Sequence, residues 1–171
     1  VLSQNEYILT TGGGGEGYLT AFKRDPDDDE YCPVYANHIT DATGNYCDGM
    51  RSFVLVGSTT TAMYAWIACA ESDSVMSVDV TDPDSMSMEG SIPDSTKLDG
   101  AWDISWHTNN EDYVYVVGKR YGAGIYGGVV AVVDISDPSN PSVSGFVGSQ
   151  AVGNAPNDIA NPEAVVAFRA N

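Results

Sequence analysis

A repeat of about 55 residues constrains the fold of this chain more than any other sequence feature. Residues 78–86 (VDVTDPDSM) align without a gap on residues 133–141 (VDISDPSNP). Asp25-Pro26 supplies an earlier copy of the same Asp-Pro pair. Self-similarity at a fixed period is typical of proteins built from stacked supersecondary units, so we expect one repeat domain over residues 1–171.

Two further markers agree with this period, the first at one period and the second at about two. Residues 102–104 (WDI) match residues 157–159 (NDI), and residues 6–12 match residues 112–118. Together the markers predict three units and the start of a fourth. The expected bounds are roughly 1–48, 49–99, 100–153 and 154–171.

Each unit has the pattern of strands and tight turns. In the third unit, strand-like segments at 101–107, 113–119, 129–135 and 142–147 are separated by polar or glycine-rich turns. Four short strands per unit without a helix are typical of a propeller blade. The sequence therefore predicts an all-β fold of antiparallel four-stranded units of β-propeller blade type, with about three blades' worth of strands.

Residues 132–141 (VVDISDPSNP) resemble the repeat of the LVIVD-repeat proteins, which are bacterial and archaeal surface or secreted β-propellers. Residues 78–86 are also similar to it, whereas the first unit departs from the pattern because Phe22 replaces the aspartate. The resemblance implies a propeller fold and a place at the cell surface or outside the cell. Because the motif is a signature of the fold, it assigns no catalytic residue to this chain.

The strand count predicts an association. We expect the chain to begin with a second strand at 6–12 and to end with another at 164–169. Propellers close with about four to eight blades, so three units need further strands. Copies of the chain, or the remainder of its own polypeptide, would supply them.

The charge excludes several partners. Asp and Glu number 24 against 7 Lys and Arg, which gives a formal net charge of −17. Such a surface repels phosphate backbones, so we expect no nucleic-acid binding, and a basic protein is a better partner. No apolar run approaches the roughly 20 residues that span a bilayer, so no membrane span is expected.

One acidic run is a candidate calcium site, and calcium is the only cofactor that the sequence suggests. A calcium loop of the EF-hand type fails because Glu30 and Ala36 stand where glycine and glutamate are needed. A looser site in a turn, or a solvated acidic loop, remains open. The candidate ligands are Asp25, Asp27, Asp28, Asp29 and Glu30.

Other motifs have structural interpretations. Trp102 and Trp106 flank Asp103 on a predicted inner strand, where they would either stack on carbohydrate or pack between units. Aspartates recurring beside each Asp-Pro pair indicate turn chemistry. The glycine-rich run 12–17 is expected to be a hairpin, because a strand-like segment and no helix follows it. We predict no catalytic residue.

The three cysteines suggest one disulfide. Cys32 and Cys47 lie in polar, loop-like segments and are predicted to pair, while Cys69 is predicted to be a buried free thiol within a strand. A disulfide favours an oxidising compartment, which is extracellular, at the cell surface or periplasmic.

The sequence thus favours a non-enzymatic extracellular or cell-surface module that interacts with other molecules or assembles with itself. The alternative is a fragment of a propeller hydrolase, or of a carbohydrate-binding propeller, whose active site lies in blades outside these residues. Acidic or histidine side chains converging on a central channel would favour the enzyme.

Overall fold

A computed structural model describes residues 6–13, 17–25, 33–40, 46–58, 61–107, 112–122, 125–148, 159 and 162–168. Within these ranges the chain is all-β, with eleven strands and no helix. The strands are β1 (Tyr7–Gly12), β2 (Tyr18–Arg24), β3 (Pro33–Thr40), β4 (Met50–Ser58), β5 (Ala62–Cys69), β6 (Ser74–Asp79), β7 (Ser87–Pro93), β8 (Ala101–Trp106), β9 (Tyr113–Gly122), β10 (Ile125–Asp134) and β11 (Ser142–Gly148).

The strands form three antiparallel sheets in chain order. Sheet 1 contains β1 to β3, sheet 2 contains β4 to β7, and sheet 3 contains β8 to β11. Every strand pairs with its neighbour in sequence, as in a meander. This confirms the predicted fold class of antiparallel, blade-like units. No helix that could cross a membrane is found among the described residues.

A tyrosine has an equivalent place in the strand pairing of each of the three sheets. Tyr7 pairs with Lys23 in sheet 1, Tyr64 with Asp79 in sheet 2, and Tyr113 with Asp134 in sheet 3. Each pair joins a tyrosine at or near the start of one strand to a residue at or near the end of the next. β1 is therefore equivalent to β5 and β9, which are the second strands of their sheets.

The first strands of sheets 2 and 3 start in the same way. β4 is irregular between Met50 and Ser52, and β8 between Ala101 and Asp103, so each carries a bulge next to its first residue. A glycine with positive φ precedes each strand, Gly49 at 66° and Gly100 at 63°. Glycine adopts this backbone conformation without the steric cost of a Cβ.

Apolar faces hold neighbouring sheets together. β5 is buried on both faces, with Trp66 and Ala68 in the cluster shared with sheet 3 and Ile67 and Cys69 in the cluster shared with sheet 1. The first-strand pair β4 and β8 lies in direct contact. A strand covered on both faces is expected to be almost continuously apolar, as the sequence of β5 is.

The Asp-Pro turns join the third and fourth strands of their sheets, as predicted. Asp82 follows β6 and accepts the backbone N–H of Asp84 at 3.1 Å, while Asp137 follows β10 and accepts that of Ser139 at 3.0 Å. In the first unit Asp25 directly follows β2, but Pro26 lies outside the described residues. Two of the three turns are thus equivalent in the structure.

The last described segment corrects one prediction. We expected a second strand at 164–169, but residues 162–168 lie along β8, the first strand of sheet 3. The Val165 N–H donates to Asp103 Oδ2 at 2.8 Å, and the Ala167 N–H donates to Ser105 Oγ at 3.0 Å. β8 also packs against β4, the first strand of sheet 2.

The disulfide prediction is also corrected. Cys47 pairs with Cys69 with a Cα–Cα distance of 4.9 Å, so Cys47 is not available to Cys32, which lies outside the described residues. Cys69 is buried as predicted, but it is not a free thiol. The antiparallel β4–β5 pairing explains the bridge, because Met50 lies opposite Cys69 and Cys47 is in the bend leading into β4.

The pairing can be tested by peptide mapping without reduction. We expect a linked pair of peptides containing Cys47 and Cys69, and alkylation of Cys32 alone. Replacing both bridged cysteines with serine should lower the free energy of unfolding by about 2–4 kcal/mol, because the unfolded chain loses a constraint. Cys32→Ser is the matched control and should leave stability unchanged. A Cys32–Cys47 peptide would contradict the structure.

Candidate functional site

Charged and aromatic side chains meet where the first strands of the sheets begin. Arg51 is the bulge residue of β4, and Trp102 is the bulge residue of β8. Because β4 and β8 pack together, these two bulges become neighbours, and Arg51 Cζ lies 4.7 Å from the centre of the Trp102 ring. A cation over an indole face at this distance is a stabilising contact.

Lys119 completes the cluster from the second strand of sheet 3. It is only 8% exposed, and its Nζ lies 3.6 Å from the Trp102 ring centre and 3.3 Å from Glu163 Oε1. On the other side, Arg51 Nη2 lies 3.6 Å from Glu71 Oε1. We call these five side chains the Trp102 cluster. Each cation in it has both a carboxylate and the indole ring as partners.

The Trp102 cluster connects three successive units. Arg51 belongs to the second unit, Trp102 and Lys119 to the third, and Glu163 to the segment that follows sheet 3. These contacts are the packing between units that the sequence offered as the alternative to carbohydrate stacking. Carbohydrate binding at Trp102 stays a prediction.

Trp106 has a different environment from Trp102. It packs against the apolar cluster between sheets 2 and 3, and its Nε1 is buried without a hydrogen-bond partner among the described residues. The bulge at Trp102 interrupts the strand's alternation, so the two tryptophans do not form one continuous platform.

The predicted calcium ligands fall mostly outside the described residues. Of the five, only Asp25 is described, and Asp27, Asp28, Asp29 and Glu30 are not. In the described ranges, no group of three or more His, Cys, Asp or Glu side chains is placed to hold a metal ion. Calcium binding therefore stays a prediction.

The recurring aspartates are hydrogen-bond acceptors within turns. Asp134 accepts the N–H and the hydroxyl of Ser136 at 3.0 and 2.7 Å, and Asp137 does the same with Ser139. The serine hydroxyls, followed by the backbone N–H groups, lower the pKa of both carboxyls. A carboxyl held ionised in this way is suited to fixing a turn and poorly suited to donating a proton.

The turns also contact the preceding sheet. In the second unit, Asp84 accepts the hydroxyl of Tyr7 at 2.8 Å and forms an ion pair with Lys23 at 3.0 Å. In the third unit, the carbonyl of Pro138 accepts the buried hydroxyl of Ser77 at 2.6 Å. These partners were not predicted from the sequence. The signal for Ser77 was a serine within the apolar strand β6.

The glycine-rich run has the predicted role. Gly12 pairs with Tyr18, so the run connects β1 to β2 as a hairpin, and a strand follows it. A Cβ on Gly17 would lie 2.9 Å from the carbonyl oxygen of Cys47 and 3.1 Å from Met50 N. The absence of a side chain at Gly17 therefore lets sheet 1 approach the start of β4.

Comparisons with known proteins give no family. No protein-family description matches the chain, and no curated protein matches its sequence.

The contribution of the Trp102 cluster can be measured by chemical denaturation. Trp102→Leu removes the ring that lies against two cations, one of them buried, and should lower the free energy of unfolding by about 1–2 kcal/mol. Trp102→Phe keeps an aromatic face and is the matched control, with a smaller expected loss. Equal losses for the two variants would contradict a cation–π contribution.

The turn aspartates predict a pH dependence of stability. Their folded pKa values lie below the unfolded value of about 3.9, so they stabilise the fold above that pH. This contribution is lost as pH falls through the folded pKa values. The double variant Asp134→Asn, Asp137→Asn cannot titrate at these positions. Its free energy of unfolding should therefore fall less steeply than that of the wild type between pH 5 and pH 2, by denaturant titration. Equal slopes would contradict the assignment.

Proposed function

We propose that this chain is a non-enzymatic module of β-propeller type that interacts and assembles with other chains at the cell surface or outside the cell. The observation that carries the proposal is the exposure of large apolar side chains at both ends of the stack of sheets. Ile8 on sheet 1 is 56% exposed, and Val166 and Phe168 beyond sheet 3 are 77% and 78% exposed. Exposed apolar side chains at both ends offer contacts to another chain.

The direction of these side chains supports an end-to-end contact. Leu9 belongs to the cluster shared with sheet 2, so alternation along β1 turns Ile8 to the opposite, outer face. At the other end, the backbone N–H groups of Val165 and Ala167 bind β8, and Val166 and Phe168 are exposed. The two apolar surfaces therefore lie at opposite ends of the stack.

The chemistry of the recurring carboxylates supports a non-enzymatic role. Asp79, Asp134 and Asp137 each accept a backbone N–H two residues ahead, and Asp84 bridges to sheet 1. Side chains repeated once per unit and bound in turns serve the scaffold. A hydrolase would need a separate set of groups converging on one site.

Two observations support a place outside the cytoplasm. The Cys47–Cys69 disulfide is favoured by an oxidising compartment. The likeness of residues 132–141 to the LVIVD repeat supports the same assignment, because that family contains surface and secreted propellers. The net charge of −17 favours solubility and adds basic proteins to the candidate partners.

Sedimentation velocity over a range of micromolar concentrations tests this function. The wild-type chain should associate at physiological salt, and the double variant Val166→Ser, Phe168→Ser should remain monomeric, because it loses the apolar surface at one end. Met88→Ser is the matched control, since Met88 is 42% exposed but lies in β7, in the middle sheet. A wild-type chain that stays monomeric throughout would contradict the proposal.

A further inference from the structure

Sheet 1 lacks a described strand at its inner edge. β1 is equivalent to β5 and β9 because the same tyrosine register recurs in all three hairpins. β5 pairs with β4 and β9 pairs with β8, whereas no described strand pairs with the corresponding edge of β1. The unpaired N–H and C=O groups of such an edge are ready to accept another strand.

The surface next to this edge is also apolar. Leu55 lies opposite Ala65 in sheet 2, as Trp106 lies opposite Val114 in sheet 3, so the two residues are equivalent. Trp106 packs against the cluster between sheets, whereas Leu55 is 40% exposed. The difference follows from the neighbours, because β4 lies beside Trp106 and no described first strand lies beside Leu55.

Residues 162–168 occupy a first-strand position without a described sheet partner. A Cβ on Gly17 would meet the Cys47 carbonyl and Met50, and a Cβ on Gly128 would meet the Ile159 carbonyl and Pro162. Pro162 thus stands at the start of its segment as Met50 stands at the start of β4.

The equivalence of Pro162 and Met50 also assigns positions to the exposed side chains of residues 162–168. Counted from Pro162 and Met50, Val166 corresponds to Val54 and Phe168 to Val56. Val54 and Val56 belong to the apolar cluster that sheets 2 and 3 share. Val166 and Phe168 therefore have the position of residues that pack against the following sheet.

We propose that two copies of this chain complete each other by exchanging this segment, so that residues 162–168 of each copy become the first strand of sheet 1 in the other. The proposal rests on the proposed function and specifies its partner. The register follows from the complete sheets: Ala167 lies opposite Ile8 of the second copy, as Leu55 lies opposite Ala65. Val166 and Phe168 then cover Leu55 of the second copy.

The interface continues a contact that the chain already makes. β8 packs on β4 between sheets 2 and 3, and residues 162–168 extend this row of first strands beyond β8. A second copy adds its β4 next in the same row. Each copy contributes three described sheets, so two copies give six, a number within the four to eight blades of closed propellers.

The charge opposes the exchange and gives it a recognisable salt dependence. Each copy carries a formal charge of −17, so the two copies repel each other at low ionic strength. Salt screens this repulsion and leaves the apolar contact intact. The dimer should therefore become tighter as sodium chloride is raised.

Cysteine cross-linking tests the register. On a Cys32→Ser background, Ile8→Cys with Ala167→Cys should give a disulfide-linked dimer of twice 18.1 kDa on a non-reducing gel. Residues directly opposite in neighbouring strands have Cβ atoms about 4.5–5.5 Å apart. Ile8→Cys with Val166→Cys is the matched control and should not link, because Val166 points to the other face of the strand.

The outcomes separate this proposal from the proposed function. A dimer in sedimentation, linked between positions 8 and 167 of different chains, supports the exchange. Association without that link, equal linking in the control, or a mass of three or more chains would overturn the exchange and leave the association module standing. A link within one chain would overturn the exchange as well. A monomer at every concentration and salt would overturn both.

Discussion

Face-to-face packing between neighbouring sheets is the interaction on which the rest of the structure depends. A four-stranded antiparallel sheet has two faces, and in β5 both are apolar and buried. Such a sheet needs a neighbour on each side, since a single neighbouring sheet would leave the other apolar face in water. Trp66, at 1% exposure, shows how completely the requirement is met in the middle of the stack. At the ends of the stack, where no described sheet covers them, Ile8 and Phe168 are exposed.

Polar groups add direction to this packing. Apolar contact alone would let one sheet slide over the next, whereas a hydrogen bond fixes a particular position. The hydroxyl of Ser77 holds the turn of sheet 3, and Tyr7 and Lys23 hold the turn of sheet 2 through Asp84. The hydrogen bond from Lys23, followed by that from Tyr7, lowers the pKa of the Asp84 carboxyl. The motif that identifies the repeat therefore also sets the spacing of the units.

The residues of the Trp102 cluster differ from one unit to the next. Equivalent positions at the start of the first strands hold Arg51, Trp102 and Glu163. The cation Arg51 is attracted to the Trp102 ring, and the anion Glu163 is linked to the same ring through Lys119, which contacts both. The variation thus gives each junction between units its own partner. It also explains how Lys119 is tolerated at 8% exposure, since it contacts both the ring and a carboxylate.

Much of the fold, and little of the side-chain arrangement, could be predicted from the sequence. The alternating and apolar patterns of 101–147 predicted four strands, and β8 to β11 lie there. Local chemistry likewise predicted the Asp-Pro turns, because an aspartate acceptor and a fixed proline act within a few residues. The bridge between Cys47 and Cys69 was missed, since their proximity depends on the register of β4 against β5.

What the sequence by itself determined is the set of strands, their order and the turns between them, because these follow from side-chain period and from backbone preferences that act over a few residues. Only the tertiary structure decided that 162–168 lies along β8, and that Arg51 and Lys119 meet at Trp102. The period of two specifies which side chains share a face. Because every strand has the same period, it does not specify which strands lie next to each other, and contacts between residues far apart in the chain decide this.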